Sequence, residues 1–254
     1  MHKHIVSKKM LSIFKPKLFL KDLIPDNYVD IHSHLLPAID DGAKNIEETK
    51  FLISELIKMG FSQFITTPHI FNGVWDNTKK NILSKLTESQ KSISEKTSII
   101  KLNAAAEYML DDHLIELLNR NEILTLKENY ILVEMSYINP PIQLYDIIFK
   151  IQVAGYIPIL AHPERYSFYH KSTEEYKKLK KSGCLFQLNL LSTVGYYGSE
   201  VMKTANFLLN EGIIDYVGSD VHHKQHINAF YNKLLIKDSI PLVEAINNNR
   251  LFTF

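Results

Sequence analysis

The sequence has a single cysteine, almost no net charge and no long apolar run. Cys184 is the only cysteine among 254 residues, which excludes an internal disulfide and any site with several thiolate ligands. The 29 basic residues nearly cancel the 28 acidic ones, so no global field points to nucleic acid or to a membrane surface. No run approaches the roughly 20 apolar residues of a membrane span, and the first residues lack the apolar core of a signal peptide. We therefore expect a cytoplasmic protein without a membrane span or a nucleic-acid partner.

The chain is rich in apolar residues, and these occur in alternating strand-like and helix-like segments. Hydrophobic residues make up 45% of it, enough for a sizeable core. Seven strand-like runs occur: YVDIHSH (28–34), FSQFITTPHI, SIIKLNAAAEY, YILVEMS, YIPILAHPER, CLFQLNLLS and IDYVGSDVHH. Helix-like segments lie between them at 45–60, 76–92, 142–154, 173–182, 199–211 and 241–246.

Repeated βα units imply parallel strands, and no linker or repeat divides the array. The sequence therefore predicts an α/β protein with one domain over residues 28–254, and a closed barrel rather than an open sheet. A basic and apolar extension, residues 1–27, precedes the domain. This extension is predicted to be a docking segment or a packed addition.

The first strand-like run carries two histidines at alternate positions. His32 and His34 project from the same side of an extended chain and can share a cation. An isolated H-x-H also fits a buried strand with hydrogen-bonded histidines. His2 and His4 repeat the spacing without an apolar flank, and we expect them to belong to a frayed end.

Other ligand-type residues follow the ends of later runs. The complete set is His32, His34, Asp41, His69, Glu107, His162, Asp220 and His222. Taken singly, each has a structural interpretation as a turn, cap or solvated residue. The strand ends of a parallel barrel meet on one face, however, so these side chains are predicted to converge there. Imidazole and carboxylate without thiolate suit manganese, iron, zinc or magnesium, and eight ligands indicate more than one ion.

Five motifs carry a family resemblance over about residues 28–225: DIHSHLLPAIDDGAKNIEE, TTPHI, AAEY, AHPERY and GSDVH. Together they resemble the PHP (polymerase and histidinol phosphatase) superfamily. Within it they are most similar to the bacterial CpsB/CapC-type metal-dependent tyrosine-protein phosphatases of capsule and exopolysaccharide synthesis. The resemblance implies a distorted (β/α)7 TIM-like barrel, the PHP fold, with three divalent metal ions, manganese being the first choice.

The same resemblance implies how the ligands are shared. The groups are His32, His34, Glu107 and Asp220 for one ion; Glu107 and His162 for a second; and Asp41, His69 and His222 for the third. Asp40 receives no role. The implied substrate is a phosphotyrosine protein, namely a membrane-associated bacterial tyrosine kinase that controls capsule or exopolysaccharide assembly.

The predicted reaction is hydrolysis of a phosphomonoester. Divalent ions offset the repulsion between the phosphate dianion and the carboxylates, and they allow a metal-bridging hydroxide to attack phosphorus. Arg165 is the predicted catalytic residue, because its N–H donors match phosphate oxygens and the resemblance assigns it that role. The alternative is a surface ion pair between Arg165 and Glu164.

Two tyrosines and the single cysteine complete the predictions for individual residues. Tyr108 and Tyr166 stand beside proposed site residues and are predicted to contact the ring of the substrate. A cysteine phosphatase needs an arginine six residues after its nucleophile, but Leu190 follows Cys184 at that distance. We therefore predict that Cys184 lies in the core.

Three alternative functions stay open. A small-molecule PHP phosphatase, such as histidinol-phosphate phosphatase, would use the same metal ligands. Amidohydrolases also place H-x-H on a first strand, but YILVEMS offers Glu134 where they use a metal-bridging lysine. A regulatory subunit without activity would not require the complete ligand set.

Overall fold

Parallel strands and helices alternate along the chain, whose computed structural model describes residues 18–94 and 100–254. The strands are β1 (Tyr28–Asp30), β2 (Phe61–Thr66), β3 (His69–Ile70), β4 (Lys101–Ala104), β5 (Glu107–Met109), β6 (Tyr130–Glu134), β7 (Ile157–Ala161), β8 (Leu185–Asn189) and β9 (Tyr216–Gly218). The helices are α1 (Ile46–Ile57), α2 (Lys79–Ser94), α3 (Asp112–Asn119), α4 (Leu144–Val153), α5 (Thr173–Lys181), α6 (Ser199–Asn210), α7 (Lys224–Ala229) and α8 (Ile240–Asn248). Within the described ranges, every helix is too short or too polar to cross a membrane.

The strands form two parallel sheets. One has the order β1-β2-β4 and the other the order β3-β5-β6-β7-β8-β9. Each sheet receives one part of the second and third predicted runs: β2 and β3 are separated at Thr67–Pro68, and β4 and β5 at Ala105–Ala106. Proline has no N–H to donate to a ladder, which explains the first interruption. The predicted α/β class with parallel strands is confirmed. The predicted closed barrel is not confirmed, because the strand pairings among the described residues give two sheets.

Backbone hydrogen bonds also join the first predicted run to the last. The Asp220 N–H donates to the His32 carbonyl at 2.8 Å, and the His34 N–H donates to the Val221 carbonyl at 3.0 Å. These bonds lie just beyond the carboxyl ends of β1 and β9. They hold two of the predicted ligand segments side by side.

The helices match the periodic segments, with two additions. Asn45 caps α1 by accepting from the N–H groups of Glu47 and Glu48, at 3.1 and 3.0 Å, as the capping-box spacing indicates. α3 was not predicted, although Asp111 caps it by accepting from the Leu114 N–H at 3.0 Å. α7 was not predicted either, because its six residues are too few for a periodic signal.

The described part of the predicted extension packs against the domain. Phe19 forms an antiparallel bridge with Lys233, the Leu20 N–H donates to the Asn232 carbonyl at 3.1 Å, and the Leu20 side chain is fully buried. Residues 18–27 thereby add to the core. The remainder of the predicted extension, residues 1–17, lies outside the described residues.

Candidate metal centre and active site

His32 and His34 follow β1, and both are completely buried. Their Nε2 atoms are 3.3 Å apart, so the two rings present nitrogen to one point, as the alternate spacing predicts. Nδ1 of His32 lies 2.6 Å from Oε1 of Gln187 on β8, and Nδ1 of His34 lies 2.8 Å from Oδ2 of Asp40. A partner on Nδ1 fixes the orientation of each ring and leaves Nε2 directed at the centre.

The loop that supplies Asp40 approaches His34 closely at Gly42. A Cβ atom at position 42 would lie 2.2 Å from the backbone oxygen of His34, so only glycine fits there. The Gly42 N–H donates to Oδ1 of Asp40 at 2.9 Å, which leaves Oδ2 for His34. This close approach explains why the two aspartates of the DDG sequence are followed by glycine.

Glu107, the first residue of β5, lies at the middle of the cluster. Its Oε2 is 3.1 Å from Nε2 of His32, 3.3 Å from Nδ1 of His69 and 3.4 Å from Nε2 of His34. Its Oε1 is 3.0 Å from Nε2 of His162. Burial alone would raise the pKa of Glu107, but the imidazoles of His32 and His69 hold that pKa well below its usual value. A carboxylate in contact with four imidazoles has the position that a bridging ligand requires.

His162 and Asp220 follow β7 and β9 with left-handed backbone conformations. Their φ angles are 35° and 50°, a region that costs energy for residues other than glycine and that is concentrated at functional sites. Oδ1 of Asp220 lies 3.3 Å from Nε2 of His32 and 3.4 Å from Nε2 of His34. Nδ1 of His162 is buried without a hydrogen-bond partner among the described residues. Such buried polar atoms are rare unless a ligand completes the site.

Asp41, His69 and His222 form the outer part of the cluster. Oδ1 of Asp41 lies 3.4 Å from Nε2 of His69 and 3.5 Å from Nε2 of His222. The Asp41 side chain is 54% exposed, whereas those of His32, His34 and Glu107 are fully buried. This part of the cluster therefore faces the opening of the site.

Nitrogen and oxygen atoms of these residues form four sets, each with its atoms within 4.8 Å of one another. The sets are His34 with Asp41, His69 and His222; His32 with His162 and Asp220; His32 with His34 and Glu107; and His69 with Glu107 and Glu134. All eight residues predicted from the sequence belong to at least one set. The structure thus brings them together, and their imidazole and carboxylate donors fit divalent metal ions.

Four polar residues at the centre received no role from the sequence. Oε1 of Glu134 lies 2.8 Å from Nδ1 of His69, and Glu134 ends β6 as the other acids end their runs. Asn189 Nδ2 donates to Oδ2 of Asp220 at 2.8 Å, and Gln187 contacts His32. Asp40 contacts His34. The alternate spacing of Gln187 and Asn189 on β8 was a signal for a shared face, but amides are not typical metal ligands.

Arg165 lies against the cluster and not on the surface beside Glu164. Its Nη1 donates to Oδ2 of Asp220 at 2.8 Å, and its guanidinium is 4.9 Å from the ring centroid of Tyr137 and 4.2 Å from that of Tyr197. Glu164 is fully buried and accepts a hydrogen bond from the backbone at the end of β8. The alternative of a surface Arg165–Glu164 ion pair is therefore wrong.

The structure corrects the prediction that Tyr108 and Tyr166 contact the substrate. Both rings are fully buried. The Tyr108 hydroxyl accepts from the Leu124 N–H at 2.6 Å, and the Tyr166 hydroxyl accepts from the Met135 N–H at 2.9 Å. Adjacency in sequence to Glu107 and Arg165 was misleading, because neighbouring residues on a strand or tight turn point to different sides.

A cavity of about 230 Å³ lies over the cluster. It is lined by Asp41, His69, Tyr137, His162, Arg165, Tyr197, Asp220, His222, His223 and His226. Cys184 is absent from this lining; it is 1% exposed, and burial raises the pKa of its thiol to about 12. A buried thiol that stays protonated is not a nucleophile.

The sequence is similar to a known protein family and to named tyrosine-protein phosphatases. A family model described as "Capsular polysaccharide synthesis, CpsB/CapC" matches residues 28–232. The tyrosine-protein phosphatase CpsB of Streptococcus pneumoniae is 29% identical over 203 residues, covering 77% of this chain and 83% of that protein. The tyrosine-protein phosphatase YwqE of Bacillus subtilis (strain 168) is 26% identical over 196 residues, covering 77% of each chain.

Solved structures extend the comparison to the fold. A structure from a study of YwqE from Bacillus subtilis and CpsB from Streptococcus pneumoniae, described as unique metal-dependent tyrosine phosphatases, has a TM-score of 0.74 and 26% identity. The match covers 80% of this chain and 84% of the chain in that structure. The lactonase Lmo2620 from Listeria monocytogenes, at 12% identity and a TM-score of 0.52, is similar in fold alone.

Proposed function

This chain belongs to the CpsB/CapC family of capsular polysaccharide synthesis, and from that premise we propose that it is a metal-dependent protein-tyrosine phosphatase. The observation that carries the proposal is the position of Arg165. Its guanidinium lines the same small cavity as the imidazoles and carboxylates, with Nη1 bonded to Asp220. Cationic N–H donors beside a cluster of metal-type ligands form a site for a phosphate group.

We propose that the cluster holds three divalent ions, with manganese the first choice. The first would lie among His32, His34, Glu107 and Asp220, the second between Glu107 and His162, and the third among Asp41, His69 and His222. Glu134, 2.8 Å from His69, joins this ligand set as a further candidate. When bound, such ions offset the charge of a phosphomonoester and increase the nucleophilicity of coordinated water.

The chain's own residues position these groups and the phosphate. Arg165 has five N–H donors, of which one bonds Asp220 among the described residues, so others are free to bind phosphate oxygens. The rings of Tyr137 and Tyr197 hold the guanidinium in place. Asp40 and Gln187 orient His34 and His32 through their Nδ1 atoms. No step requires a protein nucleophile.

The proposed substrate is phosphotyrosine in a protein. A phenolate is a better leaving group than an alkoxide. A site that does not protonate the leaving group therefore favours aryl phosphates. The cavity of about 230 Å³ is smaller than a typical ligand pocket, which suits a phosphorylated side chain with the rest of its protein outside. Tyr137, 45% exposed at the cavity, offers a ring against which the substrate ring can stack.

The cellular setting is also part of the proposal. The natural substrate would be a membrane-associated bacterial tyrosine kinase that controls capsule or exopolysaccharide assembly, and the enzyme would work in the cytoplasm. The family's description in capsular polysaccharide synthesis supports the first point. A single unpaired cysteine, Cys184, fits a reducing compartment.

We further propose that the two sheets act as one distorted seven-unit barrel. The hydrogen bonds of His32 with Asp220 and of His34 with Val221 support a link between the first and last units. The bond from the Ala105 N–H to the Thr66 carbonyl, at 2.9 Å, supports continuity where the second and third runs are interrupted. One barrel would bring all the proposed ligands to a single face.

Competition between substrates tests the proposed function. Metal-loaded enzyme is given a phosphotyrosine peptide and histidinol phosphate at equal concentration, and the two kcat/KM values are compared. We expect the peptide to be preferred by at least tenfold. A preference of more than tenfold for histidinol phosphate, or about 1.4 kcal/mol in the barrier, would assign the chain to small-molecule phosphatases instead.

A further inference from the structure

A second, larger groove opens beside the site cavity. It has a volume of about 770 Å³ and lies between the loop before α1, α1 itself and the start of α7. Asp41 and His223 line both the groove and the site cavity, so the two spaces are continuous. The consecutive residues Tyr196 and Tyr197 line one space each, Tyr196 the groove and Tyr197 the cavity. A substrate that extends out of the cavity past Asp41 therefore enters this groove.

The groove offers positive charge. Lys44 and Lys224 line it, both are exposed, and neither Nζ contacts a carboxylate within residues 18–94 and 100–254. The groove's two carboxylates are already engaged: Glu48 accepts from the Lys44 backbone N–H at 2.8 Å, and Asp41 lies against two histidines of the cluster. Lysines without a carboxylate partner, beside carboxylates that already have partners, favour a ligand that carries carboxylates.

The groove also offers apolar contact in addition to its two lysines. Phe51 on α1 is 37% exposed and Tyr196 is 38% exposed. Nζ of Lys224 lies 5.8 Å from the ring centroid of Phe51, so the cation and the ring form one surface. Exposed rings in one groove with lysines that have no carboxylate partner fit a polypeptide that mixes acidic and apolar side chains better than they fit a small ligand.

We propose that this groove binds the polypeptide on one side of the phosphotyrosine, with acidic residues on Lys44 and Lys224 and an apolar side chain against Phe51. The inference rests on the proposed function, since it assigns the phosphorylated side chain to the neighbouring cavity. It adds a preference to that function: phosphotyrosine in an acidic sequence is the better substrate. The charge lies beside the site and not in it, so it acts on peptide binding and not on the chemical step.

The experiment uses three substrates: a phosphotyrosine peptide flanked by glutamates, the same peptide with glutamines, and para-nitrophenyl phosphate. Wild type is compared with the double variant Lys44→Glu/Lys224→Glu and with the neutral double variant Lys44→Gln/Lys224→Gln. The matched control is Lys181→Glu/Lys237→Glu, which makes the same change of charge at exposed lysines that line neither space. Metal content and circular dichroism establish that each variant is loaded and folded.

We expect the charge-reversed groove variant to lose about tenfold or more in kcat/KM on the glutamate peptide, mainly through KM, and the neutral variant to lose less. Turnover of para-nitrophenyl phosphate should stay within about twofold of wild type. Equal losses on the peptide and the small substrate would overturn the groove, as would a control variant that matches the groove variant. If the wild-type enzyme hydrolyses para-nitrophenyl phosphate but neither peptide, the proposed function is overturned, and the proposal for the groove with it.

Discussion

Oδ2 of Asp220 accepts a hydrogen bond from Nη1 of Arg165 at 2.8 Å, while Oδ1 of the same carboxylate lies 3.3 Å from Nε2 of His32. One carboxylate thus joins the proposed phosphate-binding arginine to the proposed metal centre. Asp220 keeps a second partner on the arginine side, because Asn189 Nδ2 also donates to Oδ2. The arginine can therefore be removed without leaving this carboxylate oxygen unpaired.

Replacement of Arg165 by alanine should lower kcat/KM on a phosphotyrosine peptide about ten- to hundredfold. Loss of a charged hydrogen-bonding partner costs roughly 1.5–3 kcal/mol, and the ligands are untouched. Steady-state kinetics and metal analysis measure the two effects separately, and metal content should stay constant. Arg120→Ala, at an exposed arginine paired with Glu116, is the control. Wild-type kinetics in Arg165→Ala would remove Arg165 from the phosphate site.

Chelation should abolish activity, and addition of a divalent ion should restore it. In the centre five imidazoles surround carboxylates, and the proposed chemistry depends on cations bound among them. His34→Ala should lower kcat by orders of magnitude and should also reduce the metal content, whereas His113→Ala, at a partly exposed histidine on α3, should change neither. Elemental analysis and turnover of para-nitrophenyl phosphate provide the measurements. Full turnover by protein verified to be free of metal contradicts the mechanism.

Cys184→Ser should keep most of the activity, and iodoacetamide should not inactivate the folded wild type. The thiol is buried, its pKa is raised to about 12, and it lines neither the cavity nor the groove.

The unfolded thiol ionises near pH 9, whereas the folded thiol stays protonated. The unfolded state then binds fewer protons, so the unfolding free energy of wild type relative to Cys184→Ser should fall as the pH rises above about 9. Denaturant titrations at several pH values measure this difference. A folded but inactive Cys184→Ser would make the thiol catalytic.

The ligand cluster and the cap of α1 could be predicted from the sequence. Alternate histidines must share a side of an extended chain, and the acids after apolar runs must meet if the strands are parallel. The contacts of Glu107 with His32, His69 and His162 follow from those two rules together. The capping of α1 by Asn45 was equally readable, since it depends on residues three apart.

Features that depend on turns between elements could not be read in the same way. Tyr166 follows Arg165, yet a short 3-10 helix over Pro163–Arg165 sends the arginine to Asp220 and the tyrosine into the core. Tyr137 and Tyr197 reach Arg165 from segments that follow β6 and β8, and no spacing in the sequence relates them. Their identification needed the fold.

Gly42→Ala should damage the centre although it adds only one methyl group. A Cβ at position 42 would lie 2.2 Å from the His34 carbonyl oxygen and 2.5 Å from the His34 Cβ, and both are held by the backbone. The loop must then move away, which withdraws Asp40 from Nδ1 of His34 and Asp41 from the outer histidines. We expect a loss of more than tenfold in kcat/KM together with reduced metal affinity. Gly73→Ala is the matched control, because a Cβ there meets nothing within 4 Å and the cost is confined to its φ of 77°. Kinetics and metal titration of both variants are the measurements. Equal, small effects of the two changes would show that the approach of Gly42 to His34 does not position the aspartates.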